Sequence, residues 1–161
     1  MRILLATDGS KDAAAATAFL RELPLPASSK LLIVTAVSFP TFAFEPPPVR
    51  EFKGSVLEDA RRVVDEARAT LARRGFDVET DVVIGNPKDE ISRIAGEWNA
   101  DLVVLGARGL GRIKRFLLGS VSLAVARRVS CPVLVVKGRA RKLGSVLVGI
   151  DGSEDSFQAL R

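Results

Sequence analysis

The chain has 161 residues, of which 47% are hydrophobic and 27% charged, a balance that fits one globular domain or one domain plus a fragment. It contains 0 His and 1 Cys, and these counts exclude a Ser-His-Asp triad, a Cys-His pair, an HExxH or Cys-rich zinc site and an intrachain disulfide. The net charge of +5 and the isoelectric point near 9.9 favour an anionic partner without saying which.

Short aliphatic runs alternate with helical patterns through most of the chain. The runs are typical of strands buried on both faces, and they span residues 3–6, 31–37, 78–84, 102–105 and 133–136. Five such strands joined by helices predict an α/β fold, a doubly wound five-stranded parallel sheet with helices on both faces. In such a fold, ligands bind beyond the carboxyl ends of the strands where the strand order reverses.

The first candidate loop follows strand one and reads Thr7-Asp8-Gly9-Ser10. Gly9 permits a tight turn, Ser10 can cap the next helix, and Asp8 is left at the strand tip with a carboxylate that accepts hydrogen bonds. An acid before a glycine is also common in ordinary turns, so this motif alone does not establish a site.

Residues 38–54 contain half of the 8 Phe and half of the 8 Pro of the chain. Three interpretations remain open for this segment: a stiff loop packed on its own domain, a lid over the ligand, and a patch for a partner subunit. The helix after it is predicted to open at Ser55, three residues before Glu58 in a capping box, and to stop at Gly75.

The next helix is predicted to begin at Asn86-Pro87, a side-chain cap followed by proline at the first helical position. Helical spacing directs four of its residues into the core: Ile91, Ile94, Ala95 and Trp98. Cys131, which precedes Pro132 and the last strand, is interpreted as a small buried packing residue.

The second candidate loop, residues 106–120, follows strand four and is rich in glycine and basic residues. Its glycines would let the backbone approach a ligand, and Gly119-Ser120 would start a helix whose free amide hydrogens bind a phosphate. Part of the positive charge falls here, on Arg108, Arg112, Lys114 and Arg115. The spacing is neither that of Walker A nor the Rossmann Gly-x-Gly-x-x-Gly.

The opening pattern returns near the other end, where residues 146–155 repeat residues 3–12. Identical residues in the two copies include Leu4, Asp8, Gly9, Ser10, Asp12 and Ala16, which match Leu147, Asp151, Gly152, Ser153, Asp155 and Ala159. We interpret residues 1–138 as one complete unit, 139–144 as a basic linker and 145–161 as the truncated start of a second repeat.

Taken together, these motifs resemble the universal stress protein family, whose nucleotide-binding members carry Gly-x2-Gly-x9-Gly-Ser/Thr after the fourth strand. Gly106, Gly109, Gly119 and Ser120 match this pattern at every spacing. The resemblance covers residues 1–137 and resumes at 145, as in the N-terminal repeat of a tandem protein. It implies the strand order 3-2-1-4-5, which sets the tips of strands one and four side by side.

The resemblance also implies an adenine nucleotide site. Residues at the tips of strands one and two would hold adenine and ribose: Ala6, Thr7, Asp8 and Ala36. Residues after strand four would bind near ribose and phosphates: Gly106, Ala107, Arg108 and Gly109. Amides and hydroxyls at the next helix start would cradle the triphosphate: Gly119, Ser120, Val121 and Ser122. The ligand would be ATP, ADP or AMP, with Mg²⁺ or Mn²⁺ bridging its phosphates and no metal ligand from the protein.

The leading hypothesis is an ATP-binding stress-response or signalling domain with absent or very slow hydrolysis, since no general base and no catalytic residue is visible. The alternative is a nucleotide-independent dimerisation or scaffold domain. The resemblance suggests a homodimer through the fifth strand, or internal pairing in a full tandem chain. ATP-pyrophosphatase and electron-transfer flavoprotein relatives are disfavoured because the pyrophosphatase loop motif is absent and nothing indicates a flavin.

No aliphatic stretch approaches the ~20 residues that cross a bilayer. The start of the chain meets Asp8 and Gly9 too early for a secretory signal. We therefore expect no membrane partner and a cytoplasmic location. Nucleic-acid binding is disfavoured as well, because the excess charge gathers in the phosphate-type loop and the linker.

Overall fold

The structure is a computed structural model that describes residues 1–40, 47–72, 75–110, 118–138 and 145–158. Strands and helices alternate along the chain as β1 (Arg2–Ala6), α1 (Lys11–Glu22), β2 (Lys30–Val37), α2 (Pro47–Ala72), β3 (Asp77–Ile84), α3 (Pro87–Glu97), β4 (Leu102–Gly106), α4 (Ser120–Arg128), β5 (Val133–Val136) and α5 (Glu154–Gln158). The linker 139–144 lies outside the described residues, as do Phe42, Phe44, Arg112, Lys114 and Arg115.

The five strands form one parallel sheet in the order β3-β2-β1-β4-β5, which confirms the predicted fold and strand order. β1 lies between β2 and β4, and Ala6 at its end pairs with Val34 on one side and Leu105 on the other. The carboxyl ends of β1 and β4 are therefore neighbours, at the place where the connections change direction.

Helices cover both faces of the sheet, and the alternation of side chains along β1 shows how. Ile3 and Leu5 enter a core that also contains apolar residues of α1 and α2. Leu4 and Ala6 point the other way, into a second core formed with α3 and α4. Because successive side chains of a strand face opposite sides, a strand covered on both faces must be apolar at every position.

The start of α3 agrees with the prediction. The Asn86 side chain accepts a hydrogen bond from the Lys88 amide at 3.1 Å, and Pro87 takes the first helical position. Trp98 and Cys131 are half-buried and pack against the second core. Burial raises the pKa of the Cys131 thiol, which keeps the side chain neutral and apolar.

The predicted start of α2 is wrong. The helix begins at Pro47 rather than Ser55 and runs for 26 residues, so residues 47–54 are helical and not a loop. Prolines fit the first turn because that turn has no internal partner for its N–H groups. Ser55 lies inside the helix and its hydroxyl donates to the Phe52 carbonyl at 2.9 Å, which excludes the capping box.

In the described part of the chain, neither α2 nor any other helix is long and apolar enough to cross a membrane.

The repeated sequence pattern adopts the same local geometry in both places. Gly9 has φ +75° and Gly152 has φ +86°. In the first copy the Ser10 amide donates to Asp8 Oδ1 at 3.0 Å, and in the second the Ser153 amide donates to the Asp151 carboxylate at 2.9 Å. Each serine then caps the helix that follows it.

Candidate functional site

A cavity of about 570 Å³ opens at the carboxyl ends of β1 and β4. All predicted site residues except Ala107 line it: Ala6, Thr7, Asp8, Ala36, Gly106, Arg108, Gly109, Gly119, Ser120, Val121 and Ser122. Several apolar lining residues were not predicted: Ala13, Pro87, Ile91, Leu105, Leu110, Leu118 and Leu123. The described residues of the 38–54 segment do not line the cavity, so nothing there supports the lid.

The floor of the cavity is formed where β1 ends. The Thr7 amide donates to the Val34 carbonyl at 2.9 Å, and the Thr35 hydroxyl donates to the Thr7 carbonyl at 2.7 Å. Both bonds are buried, so the tip of β1 is fixed to β2 on its main chain. The turn that follows requires glycine, because Gly9 has φ +75° and a side chain there would approach Val63 of α2 to 2.9 Å.

Asp8 connects the two predicted loops. One carboxylate oxygen accepts from the Ser10 amide at 3.0 Å, and the other accepts from the Leu110 amide at 2.9 Å. A methyl group at Gly109 would lie 2.3 Å from that second oxygen. Asp8 does accept hydrogen bonds, as expected, but in this structure the donors are amides of the chain itself.

Ser10 caps α1 as predicted, since its hydroxyl oxygen accepts from the Ala13 amide at 3.3 Å. The same hydroxyl donates to the Arg108 carbonyl at 3.0 Å, which attaches the β4 loop to α1. Gly106 makes this approach possible, because a side chain there would meet the Ala13 nitrogen at 2.5 Å. The glycine pattern thus sets the distance between β4 and α1, independently of any ligand.

Ala107 lies behind the cavity wall and is 2% exposed. Its amide donates to the Val136 carbonyl at 2.7 Å, and its carbonyl accepts from the Gly119 amide at 2.6 Å and from the Ser122 hydroxyl at 2.9 Å. The Gly119 amide and the Ser122 hydroxyl therefore point inward, contrary to the expectation that both would hold a phosphate. The two bonds to the Ala107 carbonyl hold the start of α4 against the end of β4, and the bond to Val136 joins that end to β5.

The remaining groups at the start of α4 face the cavity. The helix has no side-chain cap at Gly119, and in its first turn the Leu123 amide donates to the Gly119 carbonyl at 3.1 Å. The amides of Ser120, Val121 and Ser122 make no hydrogen bond to another described residue. Such amides carry the positive end of the helix dipole, and an anion satisfies them.

Asp12 is a residue of this region that the sequence did not single out as a site. It is 7% exposed, and its carboxylate accepts from Arg108 Nε at 3.3 Å and from the Gly138 amide at 3.2 Å. The sequence feature that could have identified Asp12 is the repeat, in which Asp12 is one of the few identical positions. No group of three Asp, Glu or Cys residues in the described ranges could hold a metal ion.

Comparisons with known proteins show the family and the fold of the chain. Residues 1–137 match the universal stress protein family. Universal stress protein Rv2005c of Mycobacterium tuberculosis is 33% identical over 168 residues, which cover 94% of this chain and 54% of that protein. The chain thus spans about half the length of this relative.

Two solved structures share the fold. That of hypothetical protein MJ0577, whose sequence is from Methanocaldococcus jannaschii, has a TM-score of 0.73 at 28% identity and covers 87% of this chain and 97% of that one. A universal stress protein in complex with cAMP has a TM-score of 0.61 at 30% identity and covers 84% of this chain and 96% of that one. Since the family match takes in most of the chain, this protein belongs to the universal stress protein family.

Proposed function

We propose that the cavity binds an adenine nucleotide, and that the protein is a stress-response or signalling domain rather than an efficient hydrolase. The observation that carries this proposal is the pairing of two surfaces in one cavity. One end is apolar, with Ala6, Ala36 and Ile91, and the other presents Arg108 and the open start of α4. A flat base fits the first end and a phosphate chain fits the second.

The size and lining of the cavity fit such a ligand. A volume of about 570 Å³ lies within the range of small-molecule sites, roughly 300–1,000 Å³. The related structure in complex with cAMP, at 30% identity, supports the choice of an adenine nucleotide over other anions. ATP, ADP and AMP all remain candidates. A divalent ion would be held by the phosphates, because the described residues supply no cluster of metal ligands.

Slow or absent hydrolysis follows from the state of Asp8. Both of its carboxylate oxygens accept main-chain hydrogen bonds, from Ser10 and Leu110. The group therefore connects the two loops and is not placed to act as a general base. The chain has 0 His, which removes the commonest general base. Phosphate contacts without a base favour retention of the nucleotide over its turnover.

The test is calorimetric titration of the full chain with ATP and Mg²⁺, ADP, AMP, cAMP, adenosine and inorganic phosphate. We expect binding of the nucleotides and none of phosphate alone. The site variant is Ser120→Asp, whose carboxylate in the first turn of α4 would interact favourably with the helix dipole and repel a phosphate, lowering ATP affinity ~tenfold or more without loss of stability. Ser55→Asp, on the exposed surface of α2, is the matched control and should bind as the parent does. Absence of nucleotide binding by the parent chain refutes the proposal.

A second proposal concerns assembly and rests on the position of β5. It is an edge strand, paired with β4 alone among the described strands, and an exposed edge is free to pair with another chain. We propose a homodimer through β5, or pairing between two copies of the domain within a longer chain. This would also suit a scaffold domain that needs no nucleotide. Light scattering with and without ATP measures it, and a monomer at all concentrations contradicts it.

We also propose that residues 145–161 begin a second copy of the domain. The shared turn geometry at Asp8–Ser10 and Asp151–Ser153 supports this, and so does the alignment with Rv2005c, in which the chain covers about half of the relative. We further propose that the protein is located in the cytoplasm, which cell fractionation tests.

A further inference from the structure

Asp12 is held in one orientation by contacts that are distant in sequence. The residue is 7% exposed and lies at the start of α1. One carboxylate oxygen accepts from the Gly138 amide, just after β5, at 3.2 Å. The other accepts from Arg108 Nε, just after β4, at 3.3 Å. A buried carboxylate needs such partners, and with one oxygen anchored at Gly138 the other is directed at Arg108.

Arg108 is attached at two points and otherwise faces the cavity. Its carbonyl accepts from the Ser10 hydroxyl at 3.0 Å, and its Nε is bonded to Asp12. The side chain is 37% exposed and lines the cavity. Its two terminal nitrogens make no hydrogen bond to any described residue. The guanidinium is thus fixed by one edge while its outer donors stay available, an arrangement suited to bidentate binding of a phosphate.

We propose that Asp12 is a positioning residue that orients Arg108 towards the phosphate chain, so that this pair makes affinity increase with the number of phosphates. The inference rests on the proposed nucleotide site and adds a determinant of specificity to it. A guanidinium already held at Nε loses less conformational freedom when it binds than a free one does. Removing the carboxylate leaves the charge of Arg108 in place but releases its orientation.

Two other roles for Asp12 predict different results. If the carboxylate merely competed with phosphate for Arg108, its removal would strengthen ATP binding. If it only stabilised the fold, its removal would weaken AMP and ATP binding alike. Only a positioning role lowers the preference for ATP over AMP while leaving AMP affinity unchanged.

The experiment is a double-mutant cycle measured by calorimetry with AMP and with ATP and Mg²⁺ on the full chain. The variants are Asp12→Asn, Arg108→Gln and the double variant, with Asp65→Asn on the exposed face of α2 as the charge-matched control. We expect Asp12→Asn to lower the ATP-to-AMP preference about three- to tenfold, as loss of an ordered charge-assisted contact would, and AMP affinity to stay within about twofold. In the Arg108→Gln background, Asp12→Asn should have no further effect.

Several outcomes overturn the inference: tighter ATP binding by Asp12→Asn, an equal loss for both nucleotides, or additive effects of the two substitutions. If Asp12→Asn does not fold, the Arg108→Gln variant is the test. An ATP-to-AMP preference equal to that of the parent chain in this variant would contradict the role proposed for the pair. The parent chain separates the two proposals. If it binds no nucleotide, the proposed function fails, whereas if it binds ATP and the cycle shows no coupling, only the role of Asp12 fails.

Discussion

Substituting Gly109 by alanine tests whether the link between the two loops stabilises the site. The new methyl would lie 2.3 Å from Asp8 Oδ2, where a carbon and an oxygen normally stay about 3.3 Å apart. The carboxylate must therefore move by about 1 Å. This breaks its hydrogen bond with the Leu110 amide, now 2.9 Å long. Gly109 is not in the left-handed region, so backbone strain adds nothing to the effect.

The expected loss of stability follows from these contacts. A hydrogen bond to a charged group contributes about 1.5–3 kcal/mol. Alanine restricts the unfolded chain more than glycine does, and this offsets the loss of stability by about 0.4–1 kcal/mol. The net destabilisation should be about 1–2 kcal/mol, a decrease in Tm of about 2–8 °C for a chain of this length. ATP affinity should fall as well, because Gly109 lines the cavity.

The matched control is Gly96→Ala in α3, where a methyl group meets nothing within 4 Å. It makes the same chemical change in a helix interior and should stabilise the protein by about 0.5–1 kcal/mol without altering ATP affinity. Urea unfolding followed by circular dichroism gives both free energies, and calorimetry gives the affinities. Equal stabilities of the two variants would falsify the account of the loop contact.

Two further measurements address the start of α4 and the second copy of the turn. Ser122→Ala removes the hydroxyl that donates to the Ala107 carbonyl at 2.9 Å. Urea unfolding should show that the free energy of unfolding falls by about 1 kcal/mol. An unchanged free energy would mean that this bond does not hold α4. The pKa of Asp151 is lowered from 3.8 to about 2, chiefly by hydrogen bonding from the Ser153 side chain. The contribution of this group to stability is therefore present above pH 3.8 and is lost as the pH falls through about 2. A carboxyl titration by NMR with its midpoint at 3.8 would contradict this.

Local patterns predicted the parts of the structure that depend on neighbouring residues. The apolar runs located the strands, because a strand buried on both faces must be apolar throughout. The caps at Ser10 and Asn86 could be read because each side chain bonds an amide two or three residues away. The same logic failed at Ser55, where a capping pattern lies inside a longer helix that starts at Pro47.

The sequence by itself determined the alternation of strands and helices, and its resemblance to the family implied the strand order and therefore which loops meet at the end of the sheet. Only the tertiary structure decided which polar groups face the cavity. The Gly119 amide and the Ser122 hydroxyl turn inward to the Ala107 carbonyl. Asp12 finds its partners 96 and 126 residues further along the chain. Such bonds depend on how β4, β5 and α1 pack together, and no local pattern of residues specifies which donor and acceptor meet across those elements.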